Sequence, residues 1–303
     1  MNEKYVVANG IELAYEAFGN PSHPAIILIT GMSAQLTTWP IELCQQVAAM
    51  GYWVLRYDHR DIGLSEKMSS AKSPKMLSVM TRLHFNLPIK VPYTLEDMSD
   101  DVIGLMQELN IDKAHFVGVS MGGMIAQLCA IRHPNKALSL TSMMSTSGSP
   151  WLPGPKPAIS LHMMKPRPTT EEAIIQRGVK TLRLAAGSKY RQSYDEMYSR
   201  MRDSFHRSHY PEGAVRHMLA IAGSGNRVRA LRKVRTPTLV VHGRDDPLVR
   251  LAAGRSTARL IPGAKLEVID GLGHDLPACA VPRLMQALAP HLQNSSQRNH
   301  TLE

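Results

Sequence analysis

Cysteine is scarce in this 303-residue chain, and the three present, Cys44, Cys129 and Cys279, are widely spaced. An odd number at such intervals suits neither a disulfide framework nor a zinc site, so reduced thiols and a cytoplasmic setting are expected. No uninterrupted apolar run reaches the ~18 residues of a membrane span. Residues 1–20 are mixed polar and lack the charged-then-apolar layout of a signal peptide. Aromatic residues are not interleaved with basic ones in any nucleic-acid motif, so no nucleic-acid partner is expected. No metal or cofactor is called for, and the oligomeric state is left open.

What is present is an alternation of strand and helix signals. Apolar runs at Ala25–Ile29, Tyr52–Leu55, Ala114–Val117, Ala137–Met143, Thr236–His242 and Ala264–Ile269 read as strands, the first of them continuous enough to be a buried parallel strand. Ile11–Glu16 alternates and reads as the first strand, at an edge. Ile41–Met50 and Leu95–Leu109 read as helices, the second capped by Thr94 with Asp97 three residues on. Such alternation predicts a mainly parallel, doubly wound sheet. It stops at the breaker cluster Pro150–Pro157, and from there to Arg235 the pattern is helical. The expected division is a core of 1–149 and 236–294, a helical cap over 150–235, and a disordered tail over 295–303. Leu302-Glu303 has the look of a cloning scar and is set aside.

The most informative stretch is Gly118-Val119-Ser120-Met121-Gly122, lying between the strand Ala114–Val117 and a helical run from Met124. Strand, G-x-S-x-G, helix is the context of a nucleophile elbow, in which a tight turn lifts the serine hydroxyl out of the sheet. A serine is a poor nucleophile near neutral pH without a base, and the base needs an orienting acid. Both are available downstream, in the order Ser, Asp, His that suits this arrangement. The strand ending at His242 runs into Gly243-Arg244-Asp245-Asp246-Pro247. Of the two adjacent carboxylates Asp246 is favoured, because Pro247 biases it to an extended conformation. The next strand ends at Asp270-Gly271-Leu272-Gly273-His274-Asp275, which puts His274 on a loop able to curl back over the sheet edge. Asp270 and Asp275 read as solvated loop charges, and Asp58 and Asp61 as a hydrogen-bonded or ion-paired scaffold beneath the site. An oxyanion hole needs two preorganised donors. The Met121 N–H, next to the nucleophile, is one; the Met32 N–H is the other, with Gly31 allowing the sharp turn after Ile29.

With Gly31-Met32, the turn Asp58–Ser65, the elbow at Ser120, Gly243-x-x-Asp246-Pro247 and Gly273-His274 in place, the chain resembles the α/β-hydrolase superfamily over essentially its whole length. Arg56–Asp61 with Trp39-Pro40 looks most like the branch of carboxylesterases and the aclacinomycin methylesterase. The resemblance implies an α/β-hydrolase fold, with a mostly parallel sheet flanked by helices and an inserted helical cap. It also implies a Ser120–Asp246–His274 triad and cofactor-free ester hydrolysis. One departure is Thr30 at the oxyanion turn, where many relatives carry histidine; the donor is a backbone N–H, so no loss of function is expected. The same triad supports methylester, lactone, thioester and C–C bond hydrolysis and perhydrolysis, and a non-catalytic binding protein could use the same scaffold.

Two biases remain. Residues 155–235 hold 17 Lys and Arg against 6 Asp and Glu, a local excess of +11 compared with +10 for the chain. A solvated helical face is the plainer reading, and attraction of anionic partners the functional one. Methionine is abundant, at 18 residues. Met144 and Met163, near the cap entry, are expected to join Gly31 in contacting a small-molecule ester, since soft side chains suit a tolerant acyl pocket. Met121 is expected to line it too.

Overall fold

A computed structural model of the protein describes residues 3–70, 74, 79, 81, 82, 87 and 89–300. Eight strands form one sheet: β1 (Lys4–Ala8), β2 (Ile11–Phe18), β3 (Ala25–Ile29), β4 (Trp53–Tyr57), β5 (Ala114–Val119), β6 (Ala137–Met143), β7 (Thr238–Gly243) and β8 (Lys265–Ile269), in the order β1-β2-β4-β3-β5-β6-β7-β8. β1 and β2 pair antiparallel, as do β2 and β4; every later pair is parallel. The mainly parallel sheet is as expected. The edge is not: β1, too short and exposed to carry a periodic signal, covers Ile11–Phe18 and makes it an interior strand.

Side chains alternate across the buried strands and feed two cores. Ile27, Ile29, Ala114 and Phe116 face one layer with Leu95, Met98, Val102, Ile125 and Leu128. Those residues belong to α2 (Leu95–Glu108) and α3 (Met121–Arg132). Ile26, Leu28, Val117 and Val119 face the other, with Leu43 and Val47 of α1 (Ile41–Ala49) and Leu284, Leu288 and Leu292 near the C-terminus. α2 starts where the sequence says it should: Thr94 Oγ1 accepts from the Asp97 N–H, and the Asp97 carboxylate accepts from the Thr94 N–H, satisfying two helix-start donors reciprocally.

Between β6 and β7 no strand occurs among the described residues. Five helices fill the interval: α4 (Pro157–Met164), α5 (Glu171–Ala185), α6 (Tyr194–Arg207), α7 (Pro211–Ser224) and α8 (Val228–Leu231). After β7 come α9 (Leu251–Leu260), β8 and α10 (Val281–His300). The expectation of a disordered tail from 295 is overturned over 295–300, which continue α10. Ser295 and Ser296 donate back to the His291 and Leu292 carbonyls, and Ser296 Oγ also lies 3.3 Å from Tyr52 Oη and 3.2 Å from His115 Nε2, tying the last turns to the core. Residues 301–303 lie outside the described residues.

Burial pulls the His59 and His115 imidazoles down to about 3 and those of His217 and His291 to about 4. Each is neutral in the folded protein and protonates in the unfolded chain near its ordinary value of about 6.5. Between those values the unfolded state binds more protons, so each histidine's contribution is whole above pH 6.5 and is lost as pH falls toward the folded value. Unfolding free energy measured in urea is therefore expected to fall from pH 7 to pH 4.5. His115→Gln should flatten the slope by up to about 1.4 kcal/mol per pH unit. An unchanged slope would place a charged His115 in the core.

Candidate active site

The elbow forms because two glycines let a helix start almost on top of a strand. A Cβ on Gly118 would come 2.1 Å from the Gly122 carbonyl oxygen, and one on Gly122 would come 2.1 Å from that of Ile29 and 2.3 Å from that of Thr30. Between them Ser120 takes φ 56° and ψ −119°, a region costly for a residue with a Cβ. Its N–H donates to the Met143 carbonyl at 2.9 Å, and Ser145 Oγ donates to its carbonyl at 2.7 Å, so the end of β6 holds the strained turn in place. Gly122→Ala is expected to destabilise by at least about 1–3 kcal/mol, because the obstacles are backbone atoms of β3 and its loop. A thermal unfolding midpoint equal to that of the unaltered chain would contradict this.

β7 and β8 deliver the other two groups. His274 Nδ1 donates to Asp246 Oδ2 at 2.7 Å, and with that nitrogen protonated Nε2 is left to accept from Ser120 Oγ, 3.0 Å away. Asp246 is 1% exposed, and its other oxygen accepts from the N–H groups of Leu248 and Val249 at 2.9 and 2.8 Å. His242 lies 3.6 Å from the same carboxylate but donates its Nε2–H to the Val249 carbonyl, and burial holds its pKa down, so it stays neutral. Asp245 turns away and accepts from the N–H and Oγ of Ser188.

Gly31 lies against the serine: a Cβ there would come 3.4 Å from Ser120 Cβ and 3.9 Å from Oγ. It does not supply the sharp turn; the positive φ of that loop is at Ser33, 61°. Met121 opens α3, so its N–H is among the helix-start donors without an intrahelical acceptor. The Met121 side chain, expected in the pocket, is fully buried in the core beside Met124 and Ile125, with Met32 packed against the same cluster. Met144 is fully buried at the end of β6, one residue beyond the carbonyl that holds Ser120. Met163 is not drawn in. α4 buries Ile159 and His162, and the next residue along points off that face, leaving Met163 44% exposed.

The scaffold reading of Asp58 and Asp61 agrees with the geometry. Asp58 Oδ1 accepts from the Leu36 N–H at 2.7 Å, and its Oδ2 pairs with Arg207 of α6 at 2.7 Å. Asp61 accepts twice from Arg216 of α7, at 2.8 Å each, and from Tyr93 Oη at 2.7 Å. Asp270 pairs with Arg244 at the surface. Asp275 is not a solvated charge: it pairs with Arg200 of α6 at 3.0 Å. Part of the basic excess is thus consumed by acids of the sheet's own loops.

Sequence reasoning missed three positions, all joined by contacts too long-range for a local signal. Gln35 Nε2 donates to the Ser204 and Ser208 carbonyls at 2.7 and 2.9 Å, and its Oε1 accepts from Arg207 at 2.6 Å. His217 Nε2 donates to the Arg60 carbonyl at 2.9 Å, while its Nδ1 faces the Ser33 N–H at 3.4 Å. His59 Nε2 donates to the Thr30 carbonyl at 3.0 Å. Together they grip the loop after β3 from both sides. Among the described residues no cluster of three or more metal-ligating side chains occurs, and no helix is long and apolar enough to cross a membrane.

Residues 24–277 match the family model for the alpha/beta hydrolase fold. Over 311 residues the chain is 28% identical to the rhodomycin D methylesterase of Streptomyces sp. (strain C5), covering 96% of this chain and 98% of that protein. The rhodomycin D methylesterase of Streptomyces peucetius is likewise 28% identical, over 312 residues, with the same coverage. Among solved structures, the enol-lactonase from Burkholderia xenovorans LB400 superposes with a TM-score of 0.72 at 21% identity, over 96% of this chain and 100% of that one. With a match over most of its length, and the sheet order and helical layers described above, the chain belongs to the alpha/beta hydrolase fold family.

Proposed function

We propose that the protein is a serine carboxylesterase that hydrolyses short-to-medium acyl esters through an acyl-enzyme, with a core of 1–149 and 236–294 and a cap over 150–235. The observation that carries this reading is the unbroken relay from Asp246 through His274 to Ser120, at 2.7 and 3.0 Å, ending on a strained serine. In it Ser120 Oγ attacks the ester carbonyl as His274 Nε2 takes its proton. Asp246 holds the imidazole in the tautomer that can accept and stabilises the imidazolium that forms. The Met32 and Met121 N–H groups receive the developing oxyanion, and a donor of that kind contributes roughly 3–4 kcal/mol. His274 returns the proton to the leaving alcohol; water, deprotonated by the same imidazole, then attacks the acyl-enzyme, and Ser120 leaves with its proton restored.

A second reading is favoured by the methylesterase relatives at 28% identity over nearly the whole chain: hydrolysis of methyl esters of larger acids, with the small group leaving as alcohol. Two substrate series separate them, p-nitrophenyl esters from acetate to palmitate and methyl esters of aliphatic and aromatic acids. Turnover peaking at short p-nitrophenyl chains supports the carboxylesterase, and turnover confined to methyl esters the second reading. A fluorophosphonate that fails to label the folded protein, with no turnover in either series, would favour a binding protein on this scaffold.

A further inference from the structure

The segment 149–170 combines positive charge with large exposed apolar side chains. It contains no aspartate or glutamate, and it carries Lys156, Lys165 and Arg167 among apolar residues and prolines. Its large apolar side chains face water: Trp151 is 92% exposed, Met164 81% and Leu161 65%. Exposed apolar residues this large, set together on one short segment, mark a contact surface rather than ordinary surface scatter. α4 is fixed from beneath, so its outward face is not an accident of a loose loop. Ile159 and His162 are buried, and His162 Nε2 lies 3.0 Å from Thr181 Oγ1 of α5. Arg177 of α5 donates to the carbonyls of Met163, Lys165 and Pro166, collecting the last turn of the helix. The stripe left outside runs Ala158, Leu161, Met164 and Lys165, at helical spacing.

We propose that this segment docks the protein on an anionic lipid bilayer, with Trp151, Leu161 and Met164 entering the headgroup–acyl boundary and Lys156, Lys165 and Arg167 meeting lipid phosphates. Charge complementarity selects this occupant: a segment that carries Lys156, Lys165 and Arg167 and not a single carboxylate is attracted to an anionic surface. Apolar insertion and basic contacts are the two signals that together hold a surface-lying element at a membrane. Trp151 is suited to the interface, being amphipathic and at home where one end is apolar and the other wet. The segment also abuts the site, since the Lys156 N–H donates to the Pro247 carbonyl, next to Asp246, at 2.7 Å. A groove of about 260 Å³ lies there between Lys156, Ile159, Gly187, Asp245 and Pro247.

The test is co-sedimentation of the full chain with vesicles of phosphatidylglycerol and of phosphatidylcholine, with tryptophan fluorescence recorded alongside. Binding to phosphatidylglycerol is expected to be at least about tenfold tighter, to weaken with salt, and to bring a blue shift that Trp151→Phe abolishes. Leu161→Asp with Met164→Asp should lower vesicle affinity about tenfold or more, leaving hydrolysis of p-nitrophenyl acetate and the circular dichroism spectrum unchanged. Vesicle binding unaltered by these two substitutions would overturn the proposal, as would no binding to phosphatidylglycerol at low salt. So would a dimer in size-exclusion chromatography that Leu161→Asp dissolves, since the occupant would then be a second copy. Sedimentation needs no turnover, so failure here is distinguishable from failure of the esterase reading.

Discussion

Replacing Ser120 by alanine is expected to lower kcat/KM for ester hydrolysis about 10⁶-fold, because in the proposed mechanism every covalent step passes through its Oγ. The fold should survive. Alanine keeps the Cβ, so it takes the same backbone strain at φ 56°, and only the oxygen facing His274 Nε2 is lost. Ser120→Gly separates chemistry from strain. Glycine adopts a positive φ freely, so this variant should be equally inactive yet more stable than Ser120→Ala, by about 1 kcal/mol. Urea unfolding of the two variants, with turnover of p-nitrophenyl butyrate, reads both effects. Folded Ser120→Ala with more than a hundredth of the original activity would remove the acyl-enzyme from the mechanism.

Asp246→Asn is expected to cost about 10⁴-fold in kcat, and the hydrogen bonds around the carboxylate say why. Oδ1 accepts from two backbone donors, Leu248 and Val249, so the asparagine amide has to put its carbonyl oxygen there. Its NH₂ is then forced into the place of Oδ2, 2.7 Å from His274 Nδ1. A donor facing Nδ1 makes that nitrogen an acceptor and moves the proton to Nε2, which points at Ser120. The base is then in the tautomer that cannot take the serine proton. Geometry, burial and fold are kept, so the loss should fall on kcat rather than KM. A variant retaining a tenth of the original kcat would show that His274 is oriented by something other than Asp246. His242 does not take over, because its Nε2–H is committed to the Val249 carbonyl.

Much of this was readable along the chain because the informative residues are local. G-x-S-x-G between a strand and a helix specifies its own turn, and Thr94 with Asp97 specifies its own cap; each is a few residues whose partners are their neighbours. The choice of Asp246 over Asp245 rested on Pro247; in the structure Asp246 lies against His274 and Asp245 against Ser188. What escaped was set by distance or by ambiguity of face. Gln35 meets Ser204 and Ser208 across some 170 positions, with no local pattern to announce it. Met121 adjoins the nucleophile in sequence, yet the start of α3 turns its side chain into the core. The side on which Met163 falls was not legible, because an eight-residue helix with apolar residues all round does not declare which side it buries. The tail composition read as disorder, but α10 runs on to His300, with Ser296 Oγ meeting Tyr52 and His115 of the core.

The three loops of the site come from separate parts of the chain, yet each is fastened to the same inserted helices. Gln35 is clamped at the end of α6, Asp245 is held by Ser188, and the His274 N–H donates to the Ala185 carbonyl at 2.8 Å. Such a roof cannot swing open without loosening the walls it rests on. Admission of substrate and alignment of the reacting groups are then one motion rather than two, and a conformer with the helices lifted away would be a disarmed one. Any change in α5 or α6 that shifts these anchors is therefore expected to displace the groups around Ser120 as well.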